Sequence, residues 1–243
     1  MLGVTAPTTP TTLVLWDIDL TLIELPGSGR RWYQKALAKA HGLELLHYPS
    51  TAGRTELSIT SELLSAHGVE QTDEAMAAMF AALPAIVAED SSSLPTRGRA
   101  LPGAKAALAA LGIQPAVVQS LVTGNLPAIA GHKLVPFGLD VHLDFEIGGY
   151  GSLSAHRPDL VFAAMNNAAA KHGAPFAPTS VVVIGDTPYD VDAALKHGAI
   201  AIGVATGRTG EAELRAAGAH ATFPDLSDTA AVLAAILPAA ARP

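Results

Sequence analysis

The stretch Leu13-Val14-Leu15-Trp16-Asp17-Ile18-Asp19-Leu20-Thr21 decides how the rest of the chain is read. Four consecutive apolar residues suit a short strand buried on both faces, as in a parallel sheet. The run stops at Asp17. Asp19 follows two residues on, so in extended backbone both carboxylates return to one face. From there to Leu101 the signals are helical. Trp32, Tyr33, Ala36, Leu37 and Ala40 recur with helical period, and Gly42 is placed as a stop. Thr55 is placed to cap a second helix carrying Ile59 and Leu63, with Gly68 after it. Thr72 is placed to cap a third, with Met76, Met79, Phe80 and Leu83 on one face. Pro84 is expected to kink or end it.

Beyond Leu101 strands and helices alternate. Strands are predicted over 116–122, 141–147, 180–184, 199–204 and near Phe223. Helices are predicted over 102–111, 127–134, 158–172, 190–197, 211–217 and 229–236. This alternation implies an α/β fold with a doubly wound parallel sheet. The helical block after the first strand reads as a separate cap. The expected division is a loose arm over 1–12, a core over 13–23 and 99–243, and a cap over 24–98. Its hinges fall in the Gly/Pro-rich segments 24–29 and 94–103.

Composition narrows the function. The chain has 243 residues, 49% of them hydrophobic, enough for a substantial core. A net charge of −7 and the lack of a basic face argue against nucleic acid as a partner. With no cysteine, disulfides, thiolate nucleophiles and Cys-ligated metals are excluded. No apolar run reaches the ~18–20 residues of a membrane span, and the N-terminus lacks a secretory signal. A cytoplasmic monomer or homodimer is therefore expected, with no membrane partner.

Open α/β sheets bind ligands at the carboxyl ends of their strands. Those ends carry Asp17, Asp19 and Thr21; then Thr123, Gly124 and Asn125; then Asp186, Thr187 and Asp190. Four carboxylates on one edge call for a counter-ion, because burying them alone costs several kcal/mol. A hard divalent cation such as Mg²⁺ suits oxygen ligands. Arg157 is a second source of positive charge, with Lys133 as its rival. Blander roles compete: Asn125 or Asp190 as helix caps, Arg157 on the surface, His156 structural or exposed.

Asp17-x-Asp19-x-Thr21, Thr123, Arg157 and Gly185-Asp186 with Asp190 together resemble the four motifs of the haloacid dehalogenase superfamily of phosphohydrolases. They occur in the right order and on the right elements, roughly from Leu13 to Leu226. The helical insert resembles the C1 cap of phosphoglycolate-phosphatase and β-phosphoglucomutase relatives. The resemblance implies Asp17 as a nucleophile forming an aspartyl-phosphate, and Asp19 as general acid and base. Mg²⁺ would be held by Asp17, the Asp19 carbonyl and Asp186. Thr123, Gly124, Asn125 and Arg157 would bind phosphoryl oxygens, with Asp190 orienting the cation. The substrate would be a small phosphorylated metabolite, and cap contacts would come from Arg30, Arg31 and Arg54. A phosphosugar mutase and a non-enzymatic phosphate-sensing module are the alternatives.

Two positions depart from the family pattern. Leu20 stands where glycine is usual, and Arg157 where lysine is common. The first reshapes the turn toward the cap; the second keeps the charge with a different geometry.

Overall fold

The computed structural model describes residues 10–237. Most of the expected arm, 1–9, lies outside the described residues, as does 238–243. The first strand, β1 (Thr12–Trp16), is buried along its whole length. Its side chains alternate: Val14 and Trp16 enter one core, Leu13 and Leu15 the other. Parallel pairing places β4 (Val117–Thr123) on one side of it and β6 (Val181–Gly185) on the other. β5 (Gly149–Tyr150) lies beyond β4. β7 (Ile200–Val204) and β8 (Ala221–Phe223) lie beyond β6. The sheet order is thus β5-β4-β1-β6-β7-β8. The chain runs outward from β1 in one direction, then returns and runs outward in the other. The switch falls at the carboxyl end of β1, where a ligand crevice opens in such sheets.

Helices cover both faces. Over Val14, Trp16, Val182 and Ile184 lie α4 (Ala104–Gly112), α5 (Pro127–Leu134) and α9 (Thr229–Ile236). Over Leu13, Leu15, Val181 and Val183 lie α6 (Arg157–His172), α7 (Pro188–Leu195) and α8 (Glu211–Ala216). The inserted block forms α1 (Ser28–His41), α2 (Glu56–Ala66) and α3 (Asp73–Asp90). Thr55 and Thr72 cap α2 and α3 as expected, each accepting a backbone N–H three residues on. The block has its own core of Trp32, Leu37, Leu63, Leu83 and Val87, which also takes in Leu126 and Ile129 from the α5 region. A two-stranded antiparallel ribbon, β2 (Ile23–Glu24) with β3 (Arg99–Ala100), joins it to the sheet where hinges were expected. Arg99 and Glu24 close that ribbon with a 2.8 Å ion pair.

Two expectations are corrected. Pro84 does not end α3, which continues to Asp90. The proline removes one backbone donor, a loss worth about 3 kcal/mol in a free helix. Here Leu83 before it and Ile86 and Val87 after it are all buried, and that packing carries the helix through. The segment 141–147 is not a strand, although its apolar and polar residues alternate. Val141 is 74% exposed, while Leu143 and Ile147 are buried and Phe145 is only partly buried against the core. Asp144 accepts from the Glu146 N–H and starts a single 3₁₀ turn, a local bond that competes with sheet pairing. The ladder with β4 forms only at Gly149 and Tyr150.

The helical block also docks on the sheet edge through its backbone. The Glu56 N–H donates to the Gly124 carbonyl at 2.8 Å, and the Leu57 N–H to the Gly151 carbonyl at 2.9 Å. Both glycines are required by proximity. A Cβ on Gly124 would sit 2.0 Å from the Arg54 carbonyl oxygen, and one on Gly151 would sit 1.8 Å from the Gly124 oxygen.

Candidate active site

Asp17 stands just past β1, with its N–H donating to Ile184 on the neighbouring strand. Its side chain is buried, and its Oδ1 lies 2.9 Å from Nη2 of Arg157. Arg157 opens α6 and is itself buried. The same Nη2 donates to Oδ1 of Asp190. Asp190 in turn accepts at Oδ2 from the Thr187 N–H at 3.1 Å and the Thr187 hydroxyl at 2.6 Å. Thr187 is the cap of α7, and Asp190 is the reciprocal partner of a capping box rather than the cap itself. One carboxylate therefore ties a helix end and aims a guanidinium at Asp17. Arg157 is not the surface residue that the blander reading allowed.

Asp186 follows β6 and faces the same space, with the Thr21 hydroxyl at 3.5 Å. Carboxylate oxygens of Asp17, Asp186 and Asp190 all lie within 4.8 Å of one another. Burial pushes Asp17 up to about 7; Arg157 pulls it down, while Asp190 and Asp19 push it further up. Burial likewise drives Asp186 up to about 8, helped by Asp17 and Asp190. One guanidinium is too little positive charge for this cluster. An all-oxygen donor set with excess negative charge fits a hard divalent cation. Asp190 has both oxygens engaged, so Asp17 and Asp186 are the carboxylates left to hold one.

Asp19 turns to a different set of partners. Nζ of Lys133 lies 2.8 and 2.6 Å from its two oxygens, and the Asn125 amide donates to Oδ2 at 2.9 Å. Lys133 also donates to the Asn125 side-chain oxygen at 2.7 Å and lies 5.6 Å from the Trp32 ring centroid. Asn125 reaches the Thr123 hydroxyl at 2.8 Å. It does not cap α5, whose first turn has no side-chain cap. Burial raises the Asp19 carboxyl, but Lys133 and Asn125 outweigh it and hold it below the ordinary carboxylate value. The Asp19 side chain nevertheless remains 47% exposed, open to the crevice.

The expected cap contacts separate. Arg54, just before α2, is spent on near neighbours in the same block: Ser58, the Ser50 carbonyl and Glu62. Arg31 bonds the Ser28 hydroxyl and approaches Asp90 at 4.0 Å. Arg30 lies over the Tyr48 ring at 5.8 Å. His156 is exposed, as expected. Sequence reasoning missed the role of Lys133, although a signal was present. It falls on the buried stripe of α5 with Ile129, Ala130 and Leu134, where a lysine needs a partner. It also missed Glu56. This residue sits buried at the start of α2, its Oε1 accepting from Tyr33 at 2.5 Å and Thr60 at 3.1 Å.

A carboxylate pair thus stands at the switch point of a doubly wound parallel sheet, backed by an acidic cluster and a buried cation. The family model of the haloacid dehalogenase-like hydrolases matches residues 14–195, and the chain belongs to that family. The solved structures agree on the fold. A hydrolase from Pseudomonas syringae is 24% identical, with 93% of this chain and 100% of that chain covered and a TM-score of 0.65. A protein assigned as a β-phosphoglucomutase from Bacteroides vulgatus is 19% identical, covering 94% and 90%, with a TM-score of 0.61. One assigned as a phosphoglycolate phosphatase from Haemophilus somnus 129pt is 17% identical, covering 93% and 99%, with a TM-score of 0.60. A comparison with curated proteins returned no match. Among the described residues, no helix is long and apolar enough to cross a membrane.

Proposed function

We propose that the protein is a Mg²⁺-dependent phosphatase of a small phosphorylated metabolite in the cytoplasm, with residues 24–98 serving as its cap. The observation that carries this reading is the separation of the two carboxylates of the first motif. Asp17 is buried against Arg157, while Asp19 is held open to the crevice by Lys133 and Asn125.

Asp17 attacks phosphorus in line, the bond to the leaving oxygen breaks, and an aspartyl-phosphate forms. Protonated Asp19 gives its proton to the leaving oxygen. Ionised Asp19 then takes a proton from water, whose oxygen attacks phosphorus and releases Asp17. Lys133 favours the ionised form and so favours this second half. Thr123, the Gly124 amide, Asn125 and Arg157 hold phosphoryl oxygens near the start of α5. Asp17, the Asp19 carbonyl and Asp186 would hold Mg²⁺, which would supply charge that offsets repulsion between carboxylate and phosphoryl dianion. The docked cap limits access of bulk water.

The test is phosphate release from a panel of small esters, with Mg²⁺ and with EDTA, for wild type and Asp17→Asn. Release that needs Mg²⁺ and disappears in the variant supports the reading. No release from any ester by folded, Mg²⁺-binding protein overturns it and turns attention to a mutase activated by a bisphosphate.

A further inference from the structure

Glu56 is buried, titratable and unused by the chemistry above. It is the first residue of α2, and its N–H is bonded to the Gly124 carbonyl, one residue past Thr123. The backbone of Glu56 is thus anchored on the loop proposed to hold the phosphate. Its carboxylate is oriented by two donors, Tyr33 and Thr60, both on Oε1. No donor among the described residues reaches Oε2. Gly124 precedes Asn125, which donates to Asp19, and Tyr33 follows Trp32, which lies against Lys133, so Glu56 sits on the cap side of the crevice. The nearby cation is already engaged, since Lys133 pairs with Asp19 at 2.6 Å.

The cationic cap side chains do not balance it. Arg54 and Arg31 are tied within the cap, and Arg30 is drawn to the Tyr48 ring. On this side of the cap the group next to the phosphate loop is therefore the Glu56 carboxylate with the Tyr33 phenol bonded to it, rather than an arginine. Such a wall accepts hydrogen bonds from a ligand and repels negative charge.

We infer that Glu56 selects the leaving group: the substrate is a phosphate monoester whose leaving portion carries hydrogen-bond donors and no second anion. Hydroxyls of a polyol or a primary ammonium would both satisfy Oε2. A phosphorylated carboxylic acid would set its carboxylate against that of Glu56. The inference rests on the phosphatase reading and narrows its substrate.

The experiment compares kcat/KM for three esters of similar size: glycerol phosphate, phosphoethanolamine and phosphoglycolate. Wild type is expected to prefer at least one donor-bearing ester over phosphoglycolate by about tenfold or more. Preference for phosphoethanolamine would identify the ammonium as the recognised donor, and preference for glycerol phosphate the hydroxyls. Glu56→Gln keeps the shape and removes the charge. It should shrink that ratio about tenfold, through KM more than kcat, while Glu70→Gln, an exposed residue between α2 and α3, leaves it unchanged. If Glu56→Gln does not fold, Tyr33→Phe, which frees the carboxylate, should shrink the same ratio. Equal or better turnover of phosphoglycolate by wild type overturns the inference. So does a ratio that the Glu56 or Tyr33 variant leaves intact. In those cases the phosphatase reading survives; no turnover of any ester would end both.

Discussion

Nζ of Lys133 lies 2.6 Å from Oδ2 of Asp19, two side chains 114 positions apart in sequence. The pair links the last turn of α5 to the turn after β1, and Trp32 of α1 lies against the same ammonium. Lys133 is therefore a positioning residue, acting through Asp19.

Replacing Lys133 with Met should lower kcat/KM roughly tenfold to a hundredfold, because the base step loses its aligned, ionised carboxylate. Without the ammonium the Asp19 carboxyl rises, so the acidic limb of the pH–rate profile should move to higher pH. Stability should fall by only about 1–2 kcal/mol, less than for a fully buried pair, because Asp19 is half exposed. A pH profile that does not move would remove Lys133 from the mechanism.

Asp17→Asn should abolish phosphate release, by a factor on the order of 10³ or more, without unfolding the protein. The Asp17 site already disfavours a charge, holding the carboxyl up at about 7. A neutral isostere should therefore melt at or above the wild-type temperature at pH 8 without metal. Circular dichroism melts beside the phosphate assay check both halves.

Metal and pH should be linked through the acidic cluster. The folded state holds Asp17 near 7 and Asp186 near 8, against 3.8 for an ordinary aspartate. Between about pH 4 and 8 the metal-free native state therefore binds more protons than the unfolded chain, and its stability falls as pH rises. Mg²⁺ relieves the repulsion between the ionised forms. The increase in melting temperature on replacing EDTA with Mg²⁺ should accordingly be larger at pH 8 than at pH 5.5. An increase that is the same at both would separate the metal from these carboxylates.

Leu20 has φ of +62°, the one non-glycine residue in the left-handed region among those described. Its N–H bonds the Ile23 carbonyl and its own carbonyl accepts from Thr206, so the turn is held in place. A leucine there costs about 1–2 kcal/mol that glycine avoids. Leu20→Gly should stabilise the protein by about 1 kcal/mol after the loss of a partly buried side chain, raising Tm by roughly 2–4 °C. A lower Tm would show that the Leu20 contacts outweigh its backbone strain.

Much of the fold was legible because its signals are local. The apolar run before Asp17, the strand over 181–185 and the capping threonines Thr55 and Thr72 all report in short windows. The segment 141–147 was misread because its alternation is real while a local turn begun by Asp144 takes the place of ladder pairing with β4. That α3 runs on past Pro84 was not legible, because a helix end avoided by packing leaves no trace in the residues around it. The candidate site divides in the same way. Asp17, Asp19, Thr123 and Asp186 were found at strand ends, where a motif and a topology rule coincide.

By itself the sequence determined the alternation of core strands and helices, the acidic strand ends and the absence of thiol chemistry, since each follows from residue type and near-neighbour spacing. Only the tertiary structure decided which charges meet. It gave Lys133 to Asp19, Arg157 to both Asp17 and Asp190, Arg54 to Glu62, and Tyr33 and Thr60 to one oxygen of Glu56. A buried charge takes whichever partner the packing brings within about 3 Å, and that choice is made across the fold rather than along the chain.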